Sequence, residues 1–129
     1  MQKAGEKARD IQFFSKKNNA LVCVHSEEAK AFTRYLEEMD EVVSYKANIP
    51  WDNVRLELVS RVDIRKDYFQ QQWTSDFCLV YADGSIGVRE VIRPKQMEKR
   101  ATVERLELSR RYWAGQHIRD WKIIVMEDG

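Results

Sequence analysis

Trp73-Thr74-Ser75-Asp76-Phe77-Cys78-Leu79-Val80-Tyr81-Ala82-Asp83-Gly84-Ser85-Ile86-Gly87-Val88-Arg89-Glu90-Val91-Ile92-Arg93 reads as a β-hairpin. Two apolar, β-branched and aromatic runs flank Ala82-Asp83-Gly84-Ser85, and Asp-Gly between such runs is a strong hairpin-turn signal. Each run carries one carboxylate that a purely structural strand does not call for. Asp76 stands at the start of the first run. Glu90 interrupts the apolar positions Ile86, Val88 and Ile92 of the second, and a two-residue period puts it on their side. A carboxylate on a buried face is costly unless it is paired or holds a cation.

The 129 residues suit one domain, expected over residues 11–129 behind a flexible N-terminus at 1–10. The formal charge is +1, so the total does not demand a nucleic acid or a membrane. The distribution says more: residues 89–111 hold eight Lys/Arg against four Glu, which predicts one positive end of the fold. Cys23 and Cys78 form no CxxC and sit in apolar runs, the pattern of free thiols in a reducing, cytoplasmic compartment. His25 and His117 are isolated in sequence, short of the ligand spacing of a zinc site. No apolar run approaches a membrane span.

Working outward from the hairpin, Ile11–Phe14 and Ala20–Val24 flank Ser15-Lys16-Lys17-Asn18-Asn19, a smaller hairpin with a basic tip. Lys16 and Lys17 there are either a solvated turn or phosphate contacts. Ser26 is an N-cap with Glu27 and Glu28 in the first turn, and Ala29, Phe32, Leu36 and Met39 recur at helical spacing. Val42–Tyr45 and the alternating Val54–Val59 predict strands, joined by Ile49–Asn53, and Val62–Ile64 a continuation. Arg65–Gln72 reads as irregular. Pro94 ends the main hairpin, Ala101–His117 reads as a helix, and Trp121–Met126 as a last strand. The order predicts an α/β fold: a mixed β-sheet with helices on both faces, preceded by a short β-hairpin.

Helix, strands, then Asp76 and Glu90-Val91-Ile92 on neighbouring strands is the layout of the restriction-endonuclease-like core with its PD-(D/E)XK signature. More specifically, Ser75-Asp76-Phe77 with Ala82-Asp83-Gly84, the run Val103-Glu104-Arg105-Leu106-Glu107-Leu108-Ser109-Arg110-Arg111-Tyr112-Trp113, and Trp121-Lys122-Ile123-Ile124-Val125 resemble TnsA. TnsA is the endonuclease subunit of heteromeric cut-and-paste transposases. The resemblance spans roughly residues 11–126, the family's N-terminal nuclease domain. It implies a DNA-associated protein working beside a transposase subunit or other transposition proteins, with no membrane partner. It also implies Mg²⁺ (or Mn²⁺) held by Asp76 and Glu90 for phosphodiester cleavage.

Two positions depart from the family's pattern. Its helix glutamate falls on Ala29, and its strand lysine on Ile92. Glu28, one step along the helix, is the candidate substitute acid. Arg93 or Lys95 is the candidate cation, with Arg93 on the opposite face of the strand from Ile92. DNA contacts are expected from Lys16, Lys17, Arg93, Lys95, Lys99 and Arg100. The resemblance therefore admits a metal-dependent endonuclease or, if both positions are degenerate, a catalytically inactive nuclease-fold module that docks DNA or protein.

Overall fold

The computed structural model describes residues 10–127; most of the expected flexible N-terminus, residues 1–9, lies outside them. Strands β1 (Ile11–Ser15) and β2 (Ala20–Val24) form an antiparallel hairpin, followed by helix α1 (Glu27–Glu38) and strand β3 (Val42–Pro50). A short helix α2 (Asn53–Leu56) and a 3₁₀ turn (Lys66–Gln70) lead to β4 (Thr74–Tyr81) and β5 (Ile86–Ile92). A second 3₁₀ turn (Pro94–Glu98), helix α3 (Arg100–Ala114) and β6 (Asp120–Val125) complete the order. The main sheet runs β3-β4-β5-β6, antiparallel except for the parallel β5–β6 pair. This is the expected α/β class: a mixed sheet, a separate hairpin, and a helix on each face. No helix among the described residues is long and apolar enough to cross a membrane.

The turn that decides the hairpin forms as its residues require. Gly84 takes φ 86°, which only glycine adopts without strain, and Asp83 Oδ1 accepts from both the amide and the hydroxyl of Ser85. Ser26 caps α1, its Oγ accepting from the Ala29 amide at 3.1 Å. The apolar stripe Ala29, Phe32 and Leu36 then packs with Val24, Tyr45, Phe77, Leu79 and Val91 on one face of the sheet. On the other face, Leu108, Tyr112 and Trp113 of α3 pack with Val88, Trp51, Leu56 and Trp73. Tyr112 stacks on Trp51 with ring centres 4.9 Å apart. Two cores on opposite faces of one sheet follow from the strict alternation of β5.

The segment after β3 departs from expectation. Val54–Val59 alternates in sequence, yet Asp52 caps a helical turn there, Oδ1 accepting from the Val54 amide at 2.9 Å. Leu56 is fully buried, while Val54 and Leu58 face solvent at 71% and 84% exposure. A two-residue period over so short a run fits one turn of helix with a single anchor equally well. Val62–Ile64 lies in turns, and Tyr68 and Phe69 make the irregular 65–72 stretch part of the second core. Strand β3 runs on to Pro50, which an edge strand tolerates because no ladder donor is lost. Helix α3 stops at Ala114, and His117 takes the left-handed conformation (φ 63°) that turns the chain toward β6.

Polar side chains rather than a sheet ladder hold the small hairpin to the main sheet. Asn48, at φ 57°, donates from its amide to the Cys23 carbonyl at 2.9 Å, and Asn18 Oδ1 accepts from the Tyr45 amide at 2.8 Å. Ser15 Oγ donates to Glu37 at 2.6 Å. Burial pushes the Glu37 carboxyl up, but hydrogen bonds from Ser15, Tyr45 and Lys17 outweigh it and hold the group below its ordinary value. At the far edge, Arg89 pairs with Asp120 (Nη1–Oδ1 2.9 Å) and donates to the Tyr81 hydroxyl at 3.0 Å. Gly87 leaves the room for this cluster: a Cβ there would collide with Asp120 Oδ2.

Phe77 is fully buried between the rings of Phe32 and Tyr45. Phe77→Ala is expected to cost about 3–5 kcal/mol of folding stability, the usual penalty for a buried aromatic truncated to alanine. Urea denaturation checks this; a loss below about 1 kcal/mol would contradict the packing.

Candidate active site

The β4–β5 register runs from Val80↔Ile86 to Phe77↔Arg89. One step further, where Asp76 faces Glu90, side chains replace the backbone ladder. The Asp76 amide donates to Glu90 Oε1 at 3.0 Å, and the Val91 amide donates to Asp76 Oδ2 at 2.7 Å. Each carboxylate thus satisfies an amide of the opposite strand, and the two strands part around them.

The two carboxylates leave this gap toward different faces. Glu90 has no exposure and turns to α3, where Ser75 Oγ and Ser109 Oγ both donate to its Oε2 at 2.6 Å. The serines are themselves anchored by indoles. Trp51 and Trp113 Nε1 each donate to Ser75 Oγ at 2.8 Å, and Trp121 Nε1 donates to Ser109 Oγ at 3.0 Å. Burial, and then the nearby Asp76 charge, push the Glu90 carboxyl up to about 7 against the hydrogen bonds that favour its ionised form. Asp76 instead lines a cavity of about 130 Å³ on the α1 side, with Glu28, Ala29, Thr74, Val91 and Gln96. Glu90 does not line it. Of the expected metal pair, Asp76 lines the cavity, while Glu90 accepts from Ser109 of α3 and from the Asp76 amide. Ile92, 1% exposed, lies on Glu90's side of the strand, so it is not the position that meets the cavity.

The cavity face receives a different set. Glu28, in the first turn of α1, is nearly buried at 10% side-chain exposure, and Arg93 Nε reaches its Oε1 at 3.2 Å. Strand alternation that turns Ile92 inward carries Val91 and Arg93 to this face. Ala29 packs in the first core and also lines the cavity; the acid that α1 brings there is Glu28. Gln96 Oε1 accepts from the Arg93 amide at 2.7 Å and fixes the bend after β5. The polar side chains lining it are mostly hard oxygens, from Ser26, Glu28, Asn48, Thr74, Asp76 and Gln96, with the His25 imidazole beside them. That chemistry fits Mg²⁺ or Mn²⁺, which bind through one or two carboxylates and keep several waters. The cavity is smaller than the roughly 300 Å³ at which small-molecule pockets begin.

Of the expected phosphate contacts, Lys95, Lys99 and Arg100 are exposed on the segment leaving the cavity, and Lys16 is exposed on the hairpin tip. Lys17 is occupied elsewhere. Its ammonium donates to the carbonyls of Met39 and Val42 just beyond α1, where the helix dipole favours a cation. Sequence reasoning missed one cluster. Asp10, Cys23 and His25 bring a carboxylate oxygen, a thiol sulfur and an imidazole nitrogen within 4.8 Å of one another. The signal was Cys-x-His on an alternating strand, but only the hairpin register brings Asp10 to it.

No protein-family model matches this chain, and no curated protein matches it.

The raised Glu90 carboxyl has a signed consequence. Its folded value of about 7 lies above the ordinary 4.5, so between these values the native state holds the proton more tightly. The stability it contributes is fully present below pH 4.5 and is lost as pH rises through 7. Urea midpoints measured at pH 5.5 and 8.0 are expected to fall with pH for the parent and to flatten in Glu90→Gln. An identical slope in both proteins would assign the titration elsewhere.

Proposed function

We propose that this chain is a TnsA-like nuclease-fold subunit acting on DNA at transposon ends, with Glu28 and Asp76 as its metal-holding carboxylates. One observation carries the reading: an acid from the start of α1 and an acid near the start of β4 line one cavity, at the point where the sheet opens, with Arg93 paired to the first. The resemblance of the Val103–Trp113 helix to TnsA supplies the transposition context and the expectation of a transposase partner. A divalent cation there would polarise the scissile phosphate and lower the pKa of a bound water.

The chain's own residues have separate jobs in this scheme. Asp76 is held by the Val91 amide at the edge of the cavity it lines. Arg93, whose guanidinium offers several N–H donors, steadies phosphate charge. Glu90 fixes the Asp76 backbone from behind. Lys95, Lys99 and Arg100 offer the phosphate contacts that position a duplex.

A second reading is favoured by two features of the same cavity. Arg93 already neutralises Glu28, and Val91 presents an apolar wall where a third polar group would serve. On this reading the chain is a catalytically inactive module that docks DNA or protein in a transposition complex.

Supercoiled-plasmid nicking with Mg²⁺ or Mn²⁺, with and without a transposase partner, separates the two. Cleavage that falls at least about 100-fold in Asp76→Ala supports the enzyme, since losing one charge-stabilising group commonly costs that much. DNA binding without nicking under every condition supports the docking module. Neither binding nor nicking would overturn both. Where DNA binds, the triple change Lys95→Ala, Lys99→Ala, Arg100→Ala is expected to weaken it for all sequences alike. It should also flatten the salt dependence by up to about 0.9 log unit per phosphate contact removed. Filter binding from 50 to 200 mM salt measures this.

A further inference from the structure

We propose that Asp10, Cys23 and His25 form a second cation site, one that takes a thiophilic divalent ion of the Zn²⁺ class. It adjoins the cavity of Glu28 and Asp76, sharing with its lining only His25, and does not depend on the function proposed for that cavity. The β1–β2 hairpin builds the site. Its register pairs Ile11 with Val24, which places Asp10 across from His25. Strand alternation puts Cys23 on the same face as His25, while Val22 and Val24 turn into the core. The Asp10 carboxylate already lies 3.1 Å from His25 Nδ1, and all three ligand atoms fall within 4.8 Å of one another.

These distances are close to those of a metal centre. With metal–ligand bonds of about 2.0–2.3 Å in tetrahedral geometry, ligand atoms stand roughly 3.3–3.7 Å apart. Closing the remaining gap takes side-chain rotation of half-exposed groups, not backbone movement. The donor set selects the ion. One sulfur, one imidazole nitrogen and one carboxylate oxygen suit Zn²⁺ or Co²⁺ and not Mg²⁺, which wants oxygen alone. Three protein ligands leave the fourth position to water or an outside group. Binding displaces the Cys23 thiol proton and requires a neutral His25, so affinity rises with pH.

The position gives the ion a structural effect. His25 borders the oxygen-lined cavity and immediately precedes the Ser26 cap of α1. An ion bridging Asp10 to Cys23 and His25 would tie the chain entering β1 to the start of the helix that presents Glu28.

Co²⁺ titration of the full chain under reducing conditions tests the proposal, with absorption as the readout. A thiolate-to-metal band rising at one equivalent, and displaced by Zn²⁺, is the expected result. Cys23→Ser should remove that band. His25→Ala and Asp10→Asn should each weaken binding at least about tenfold, the least that losing even an outer partner of a metal ligand costs. Asp76→Ala and Cys78→Ser should leave it unchanged, and circular dichroism should show each variant folded. Zn²⁺ should also slow thiol labelling of Cys23 without slowing that of Cys78. No thiolate band up to millimolar Co²⁺, or a band that survives Cys23→Ser, overturns the site.

Discussion

A carboxylate with no solvent exposure is the constraint around which this sheet is arranged. Glu90 survives in the interior because three groups donate to its carboxylate. Two serine hydroxyls and one backbone amide donate to it directly, and three indoles hold those hydroxyls in place. The participants come from β4, β5, α3, β6 and the residue after β3. A neutral replacement of the same shape would leave buried donors facing one another, each at a cost of about 1–3 kcal/mol. The network therefore fixes how α3 sits on the sheet as firmly as the apolar contacts around it do, and it adds direction to packing that is otherwise non-directional.

The same carboxylate determines where a site can exist. By taking the Asp76 amide, Glu90 ends the ladder between β4 and β5, and Asp76 completes the opening by taking the Val91 amide. The cavity forms on the α1 side of that opening. Helix α1 brings Glu28 there because Ser26 caps it two residues earlier, and Arg93 follows because Pro94 ends β5 directly after it. Each functional side chain thus stands at an end of an element, where regular backbone bonding gives way and polar groups are free to face something else.

Much of this architecture was legible in the residues. Asp83-Gly84 gave the hairpin, Ser26 the helix start, and Pro94 the end of β5, each through a local backbone requirement. What escaped was orientation. Regular alternation carried past residue 77 puts Asp76 and Glu90 on one face; it does not disclose that each carboxylate accepts from an amide of the opposite strand. Ile92 lies on Glu90's side of β5, away from the cavity, whereas Ala29 lines the cavity beside Glu28, on the face where Val91 and Arg93 emerge. Lys17 looked free in a basic turn, but the carbonyls it binds belong to a helix end more than twenty residues away. The Asp10–Cys23–His25 cluster needed a strand register that no short motif encodes. Local chemistry was readable; contacts made at a distance were not.

Gly87 shows how an absent side chain can carry positional information. The Asp120 carboxylate rests over it and is gripped there by Arg89 and Tyr81. Strand β6 lies parallel to β5 with Asp120 level with Gly87. A slide of one residue would turn every β6 side chain to the wrong face. A slide of two keeps the faces but sets the carboxylate over Arg89 itself or over the turn at Ser85, where no such vacancy exists. The glycine therefore acts as an alignment mark: the final strand, which reaches its parallel partner only by crossing over through α3, finds its register by where its one acid can be seated.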